Sequence, residues 1–340
     1  MLVLAVFTIY SCNKKVNVSR GAEKVEPGLF LELPDFCPTP DAFSIAPDGS
    51  LILSCPNYAE KTVRGTIIKI RHDRSVINLG PVPGIKPSTF GAPMGIDHGP
   101  DGELYVCVNQ GADNGSILKM TFKQDTLIKT EVIAHGINGP NGLKVKGQAI
   151  YVTTPKLPKI KGEKNTSGIY RFLLSDRNVH VNNDFSDPNL IFTTQTDNPV
   201  RQFGLDGLAF DQEGNLVAGD FGDGIIYRLE LSEQGRVIGE KVLADLPDST
   251  GIDGMLFDSK DNLFVVGFSQ NQLWKIDKKG NSSMIVQSPD TNGEKGGLDQ
   301  PVDLVIFQEK IIISNFDLMT DPDMVNTAHD KPYTLSYLYF

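Results

Sequence analysis

The apolar positions of this chain do not follow the 3.6-residue period of a helix. They form short runs cut by Asp-Gly, Asn-Gly and Pro-Asp-Gly turns, which is the pattern of many short strands. One phrase returns six times: an opening residue, Gly or an apolar residue, a short strand, a tight turn and a second strand. The fullest copy runs from Asp206-Gly207-Leu208-Ala209-Phe210 through the turn Asp211-Gln212-Glu213-Gly214 to Asn215-Leu216-Val217-Ala218. The copies open at Asp41, Met94, Asn141, Asp206, Asp253 and Val302, in steps of 53, 47, 65, 47 and 49 residues. A strand-rich repeat of about 50 residues indicates a propeller or a related array. A third strand follows in each unit, as in Ile225–Leu229 and Gln272–Ile276, and then a more polar fourth, as in Leu127–Ile133.

The predicted fold is therefore all-β: a six-bladed β-propeller of four-stranded antiparallel blades spanning residues 28–340. In the sixth copy the third strand is expected at Tyr333–Tyr337, and Gly28–Leu33 supplies the outer strand that closes the ring. Because strands alternate in direction, the start of each first strand and the end of each second strand lie on one face. The six opening residues thus point toward the mouth of one channel. The segments Pro56–Arg64, Asn109–Gly115, Thr154–Ser167, Phe221–Gly224 and Asn315–Pro332 rim that mouth, and the longest of them predict a lidded pocket. Lys156, Lys159, Lys161 and Lys164 in one lid read either as an attractor for an anionic ligand or as a solvated basic loop.

Four of the six opening positions, Asp41, Asn141, Asp206 and Asp253, carry side-chain oxygens, and none is His or Cys. Such a set suits a hard cation, Ca2+ or Mg2+, better than Zn2+. The competing reading is turn chemistry, because Asp-Gly and Asn-Gly are common turn dipeptides whose side chains cap local amides. Met94 and Val302 leave an apolar side on which a substrate can rest. Asn109, at the end of a second strand, offers a polar group at the rim, and His329 in the last lid is the histidine expected to reach the mouth. No G-x-S-x-G motif and no Cys beside a base is present, which disfavours covalent catalysis.

Pro140-Asn141-Gly142-Leu143 and Leu205-Asp206-Gly207-Leu208-Ala209-Phe210 resemble the third- and fourth-blade signatures of the gluconolactonase / senescence-marker-protein (regucalcin) family. The resemblance implies a six-bladed propeller with one divalent cation, usually Ca2+ or Zn2+, low in the central channel, and hydrolysis of sugar lactones or related esters. It implies Asp41, Asn141 and Asp206 as metal ligands. Asp41 stands where the family usually offers Glu, and Met94 where it usually offers a polar side chain. The expected activity is a Ca2+-dependent hydrolase, with Asp206 (by resemblance) or Asp253 (as the surplus acid) taking the proton from water. The alternative is a non-catalytic cell-envelope binding module whose cation is structural or absent.

The net charge of -10 argues against a nucleic-acid partner, which needs a basic face. Residues 1–12 are apolar and end in Ile9-Tyr10-Ser11-Cys12, which resembles a bacterial lipobox. The expectation is an exported, lipid-anchored protein of the cell envelope, periplasmic or outer-membrane, with residues 13–27 as a flexible tether. Cys55 and Cys107 read as buried free thiols, with a Cys37–Cys55 disulfide as the export alternative. A closed propeller leaves few open edges, so a monomer is expected.

Overall fold

A computed structural model describes residues 25–60, 62–86 and 89–339. The lipobox-like segment 1–12, with Cys12, and residues 13–24 of the tether lie outside the described residues. At the end of the tether, the Val25 amide donates to the Ile285 carbonyl at 3.2 Å, laying the chain beside the fifth blade.

Six sheets form, one per copy of the phrase. The first strands are Phe43–Ile45, Ala92–His98, Leu143–Lys146, Leu205–Phe210, Ile252–Phe257 and Pro301–Phe307. Within each blade the successive strands pair antiparallel, as in the fourth, where Leu205–Phe210, Leu216–Asp220, Ile225–Leu231 and Val237–Asp245 lie side by side. The sixth blade closes the ring as expected. Its third strand is Thr334–Tyr339, and Gly28–Glu32 pairs with it from the other end of the chain. The second blade gains a fifth, two-residue strand, Val179–His180, parallel to Thr126–Ile137. It comes from the excursion after Asn165–Leu173 in the third blade, where the Asn178 and Val181 amides donate to the Val132 and His135 carbonyls. Among the described residues the one helical element is a 3-10 turn, Ala112–Asn114.

The hairpin turns explain why each phrase folds back. In the fourth blade the Asp211 carboxylate accepts the Asn215 amide at 2.8 Å and its side-chain NH2 at 2.9 Å. In the fifth, Asp258 accepts the same two groups of Asn262, at 2.8 and 2.7 Å. These turn aspartates are satisfied at their own hairpins, Asp211 pairing in addition with Arg228 on the next strand. Between neighbouring blades lie apolar layers, such as Ile133, Val152 and Tyr170 between the second and third, or Phe30, Leu53 and Ile312 between the sixth and first. A seventh cluster has no counterpart in that series: Phe221, Phe268, Val302 and Phe316, with Phe203, Leu318 and Met324 against it, sit at the channel mouth.

Candidate functional site on the propeller axis

All six opening residues line one cavity of about 760 Å3. A narrower space of about 30 Å3 continues down the axis past the first strands, still bounded by Asp41, Asn141, Asp206 and Asp253. The four oxygen-bearing residues therefore stand where the wide mouth meets the narrow channel.

Local backbone sets this placement. In four blades the pairing of first and second strands shifts at or beside the opening residue: between Pro93 and Ile96, Leu205 and Leu208, Ile252 and Met255, and Pro301 and Asp303. Such a bulge re-aims the side chain it carries. The Gly that follows the opening residue has its own cause. A Cβ on Gly142 would lie 2.3 Å from the Asp206 carbonyl oxygen, and one on Gly207 would lie 2.0 Å from that of Asp253. Each of these glycines lets its blade's backbone touch the next blade's opening residue. The dipeptide is thus an axial packing device and not a turn. Hydroxyls lock the same seam, with Ser54 donating to the Met94 carbonyl at 2.8 Å, Thr153 to that of Asp206 at 2.6 Å and Ser314 to that of Asp41 at 2.6 Å.

The axial carboxylates differ electrostatically from the turn carboxylates. Asp41 and Asp206 are 6% and 3% exposed, and Oδ2 of Asp41 is buried with no hydrogen-bond partner. Burial, then the nearby Asp206 and Asp303 charges, push the Asp41 carboxyl well above its ordinary range. Burial and the Asp220 charge push Asp206 up to about 8. Burial and the charges of Asp206, Asp41 and Asp303 raise Asp253. By contrast Asp48, in a hairpin turn, is held down at about 2 by hydrogen bonds from Lys69 and Ser50. Burial pushes Asp211 and Asp258 upward, but bonds from Asn215 and Asn262 hold both below the usual carboxylate range. Asp303, one residue beyond Val302, also faces the axis, but its Oδ2 accepts the Phe43 amide at 2.8 Å, which ties the sixth blade to the first.

A hard cation fits this donor set. The donors are oxygens, one carboxylate oxygen is orphaned, and a positive charge offsets the repulsion among the acids. Among the described residues no three His, Cys, Asp or Glu side chains alone form a metal-holding group. The candidate ligands Asp41, Asn141 and Asp206 include an amide, and Ca2+ fills the rest of its shell of roughly six to eight oxygens with water.

The wall above this ring was not legible as a site in the sequence. Phe221 and Phe268 stand fifteen positions after Asp206 and Asp253, and Phe316 fourteen after Val302. Their amides donate to the Gly204, Gly251 and Gln300 carbonyls, so the three are equivalent positions in successive blades. Asn109 follows Met94 by the same fifteen positions and also lines the cavity. The rings form an arc: Phe203–Phe221 at 5.4 Å between centroids, Phe221–Phe268 at 5.7 Å, Phe268–Phe316 at 6.0 Å and Phe316–Tyr58 at 6.3 Å. Tyr58 Oη reaches Met94 Sδ at 3.4 Å, so Met94 joins the wall.

The lid is pinned from several blades. Gln300 Oε1 accepts the Leu318 and Met319 amides at 2.7 and 2.9 Å, Gln270 donates to the Asp323 carbonyl at 2.8 Å, and Arg201 pairs with the Asp323 carboxylate. His329 lies behind the lid and is absent from the described lining residues. Its Nδ1 meets the Asp317 carbonyl oxygen, and its ring stacks on Tyr333 at 5.7 Å. Of the four lid lysines Lys156 alone lines the cavity, while Lys164 pairs with Asp197 at 2.6 Å and Lys159 donates to the Asn182 carbonyl. Cys37, Cys55 and Cys107 are free and buried, so the disulfide alternative does not form.

Asp299, also behind the lid, is 2% exposed with Oδ1 unpartnered. Burial, with the Asp317, Asp290 and Asp330 charges, pushes it up to about 8. A raised folded-state pKa gives stability that is complete below about pH 4 and lost as the pH rises to about 8. Asp299→Asn removes that dependence. Over this range its unfolding free energy should fall less steeply than wild type, by up to about 1.4 kcal/mol per pH unit in urea titrations. Parallel slopes would contradict the assignment.

Comparison with solved structures supports the ring architecture. A gluconolactonase from Xanthomonas campestris, XC5397, is 15% identical, with 94% of each chain covered and a TM-score of 0.57. A calcium-binding regucalcin from Agrobacterium tumefaciens is 14% identical, covering 93% of this chain and 94% of that one, with a TM-score of 0.60. The PQQ-bound aldose sugar dehydrogenase of Streptomyces coelicolor is 16% identical over 93% and 98% of the chains, with a TM-score of 0.56. At such identities the likeness establishes the fold, and one fold serves different chemistries. No curated protein sequence matches significantly. The sequence profile of the SMP-30/Gluconolactonase/LRE-like region matches residues 85–293, more than half of the chain, and with this match the chain belongs to that family.

Proposed function

We propose that the chain is a Ca2+-dependent hydrolase of lactones or related esters, working at the junction of mouth and channel. The observation that carries this reading is the unpartnered, buried Oδ2 of Asp41 in a ring of oxygen donors that all line one cavity. Family membership and the gluconolactonase and calcium-binding neighbours support it. Asp41, Asn141 and Asp206 would hold Ca2+, whose positive charge would polarise the ester carbonyl and offset the carboxylate repulsion.

With Asp206 engaged in that set, Asp253 is the base. One of its carboxylate oxygens takes a proton from water as the water oxygen bonds to the carbonyl carbon. The same oxygen returns the proton to the departing alkoxide as the acyl–oxygen bond breaks, and a hydroxy acid leaves. The pinned lid and the aromatic wall limit bulk water, which strengthens the electrostatics at the floor. The test is hydrolysis of a panel of lactones and aryl esters, with Ca2+ and with chelator, by wild type and Asp206→Ala. Absence of metal-dependent turnover across the panel would point instead to a binding module.

A further inference from the structure

The seventh apolar cluster joins blades four, five and six ring to ring at the channel mouth and also lines the cavity. Phe221, Phe268 and Phe316 occupy one structural position in three consecutive blades, and Tyr58 and Phe203 extend them into an arc. The lid faces this arc with Leu318, Met319 and Met324. Methionines are adaptable apolar surface.

Much of the polar capacity around the mouth is already spent inside the protein. Arg201 donates to the Asp248 carbonyl and to Asp323. Gln202 Oε1 accepts the Asn165 amide at 2.8 Å, and its Nε2 donates to the Asn198 carbonyl. Asn109 Oδ1 accepts the Gly111 amide at 2.9 Å, and Asn138 donates to Asp113 at 3.2 Å. A polyhydroxylated lactone placed along the arc loses water on hydroxyls that face aromatic carbon, which is costly; Lys156 and the unpartnered Arg201 Nε are among the polar groups left to it beyond the oxygen ring. An apolar body instead buries surface against the arc, which is favourable.

Resting on the hydrolase reading above, we infer that this site takes esters or lactones with an apolar alkyl or aryl body in preference to sugar lactones. The carbonyl lies at the oxygen ring and the body lies along the arc of Tyr58, Phe203, Phe221, Phe268 and Phe316. Water adds across the acyl–oxygen bond, and the product is a hydroxy acid, or an acid and an alcohol, with an apolar tail.

The test compares δ-decanolactone with glucono-δ-lactone in the presence of Ca2+. The expected kcat/KM favours δ-decanolactone by about tenfold or more, the order set by burying an alkyl tail. Phe268→Ser should raise KM for δ-decanolactone by about tenfold and that for glucono-δ-lactone by a clearly smaller factor. Phe316→Leu, which keeps apolar volume, controls for folding and should raise it only a few-fold. Preference for glucono-δ-lactone, or equal effects of Phe268→Ser on both substrates, would overturn the inference while leaving the hydrolase reading intact. If neither lactone turns over, calorimetry with the unreactive lactam analogues decides the wall, and the panel of aryl esters decides the hydrolase reading. Binding of the decanolactam and not of the gluconolactam, weakened by Phe268→Ser, sustains an apolar site; the reverse preference or no binding overturns it.

Discussion

Asp206→Ala should abolish cation binding and hydrolysis together, lowering kcat/KM on the order of 10^3-fold, the several kcal/mol of transition-state stabilisation a bound metal supplies. Asp206 is 3% exposed and held among the Asp41, Asp253 and Asp220 charges. Its backbone carbonyl, not its carboxylate, joins the seam between blades, through Thr153. The side chain can therefore be exchanged without breaking that lock. The milder Asp206→Asn separates site from scaffold. It removes one member of a repelling buried set, so above about pH 8, where Asp206 ionises, the cation-free protein should melt a few degrees higher while activity falls. Kinetics with added Ca2+ and thermal unfolding in chelator measure the two effects. A variant that is both less stable and fully active would assign Asp206 to structure alone.

Starting the chain at residue 34 should remove cooperative folding. Gly28–Glu32 is the outer strand of the sixth blade, and Phe30 and Leu33 are 2% and 5% exposed. Phe30 packs edge-on against Phe307 at 6.2 Å, and the Leu33 amide donates to the Tyr333 carbonyl at 2.7 Å. Losing one such buried aromatic costs about 3–5 kcal/mol. A whole domain has only about 5–15 kcal/mol in hand. The truncation also bares Thr334–Tyr339 as an open edge, a template for aggregation. Calorimetry should show no sharp transition, and size exclusion should show aggregates. A truncated chain that melts within a few degrees of wild type would mean that the ring closes by other contacts.

The ring was legible because its phrase repeats, and the oxygen donors were legible because they open each phrase. Asp-Gly was harder. The sequence pattern alone leaves the opening Asp206-Gly207 open to a turn reading. The bulge at the opening residue and the carbonyl pressed on Gly207 exclude it. The wall was not legible although Phe221, Phe268 and Phe316 follow their openings at nearly constant spacing. Blade one breaks the series, because Pro56 stands fifteen positions after Asp41 and Tyr58 joins the wall from the loop beyond it. Phe203 and Arg201 come from the connection between blades, outside the repeat. His329 had the right position along the chain, but its bond to the Asp317 carbonyl and its stacking on Tyr333 hold it behind the lid. The parallel strand Val179–His180 depends on a long-range pairing that no local pattern announces.

The central claim is that the axial oxygens hold a cation, and calorimetric titration of the full chain with Ca2+ at pH 6 and pH 8 tests it most directly. In the cation-free protein Asp206 keeps its proton up to about pH 8. That proton must leave when a cation binds, and Asp41 is raised as well, so affinity should be at least about fifty-fold weaker at pH 6 than at pH 8. The predicted result is one-site binding with this pH dependence, lost in Asp206→Ala. No binding at either pH, or pH-independent binding retained by Asp206→Ala, would contradict it.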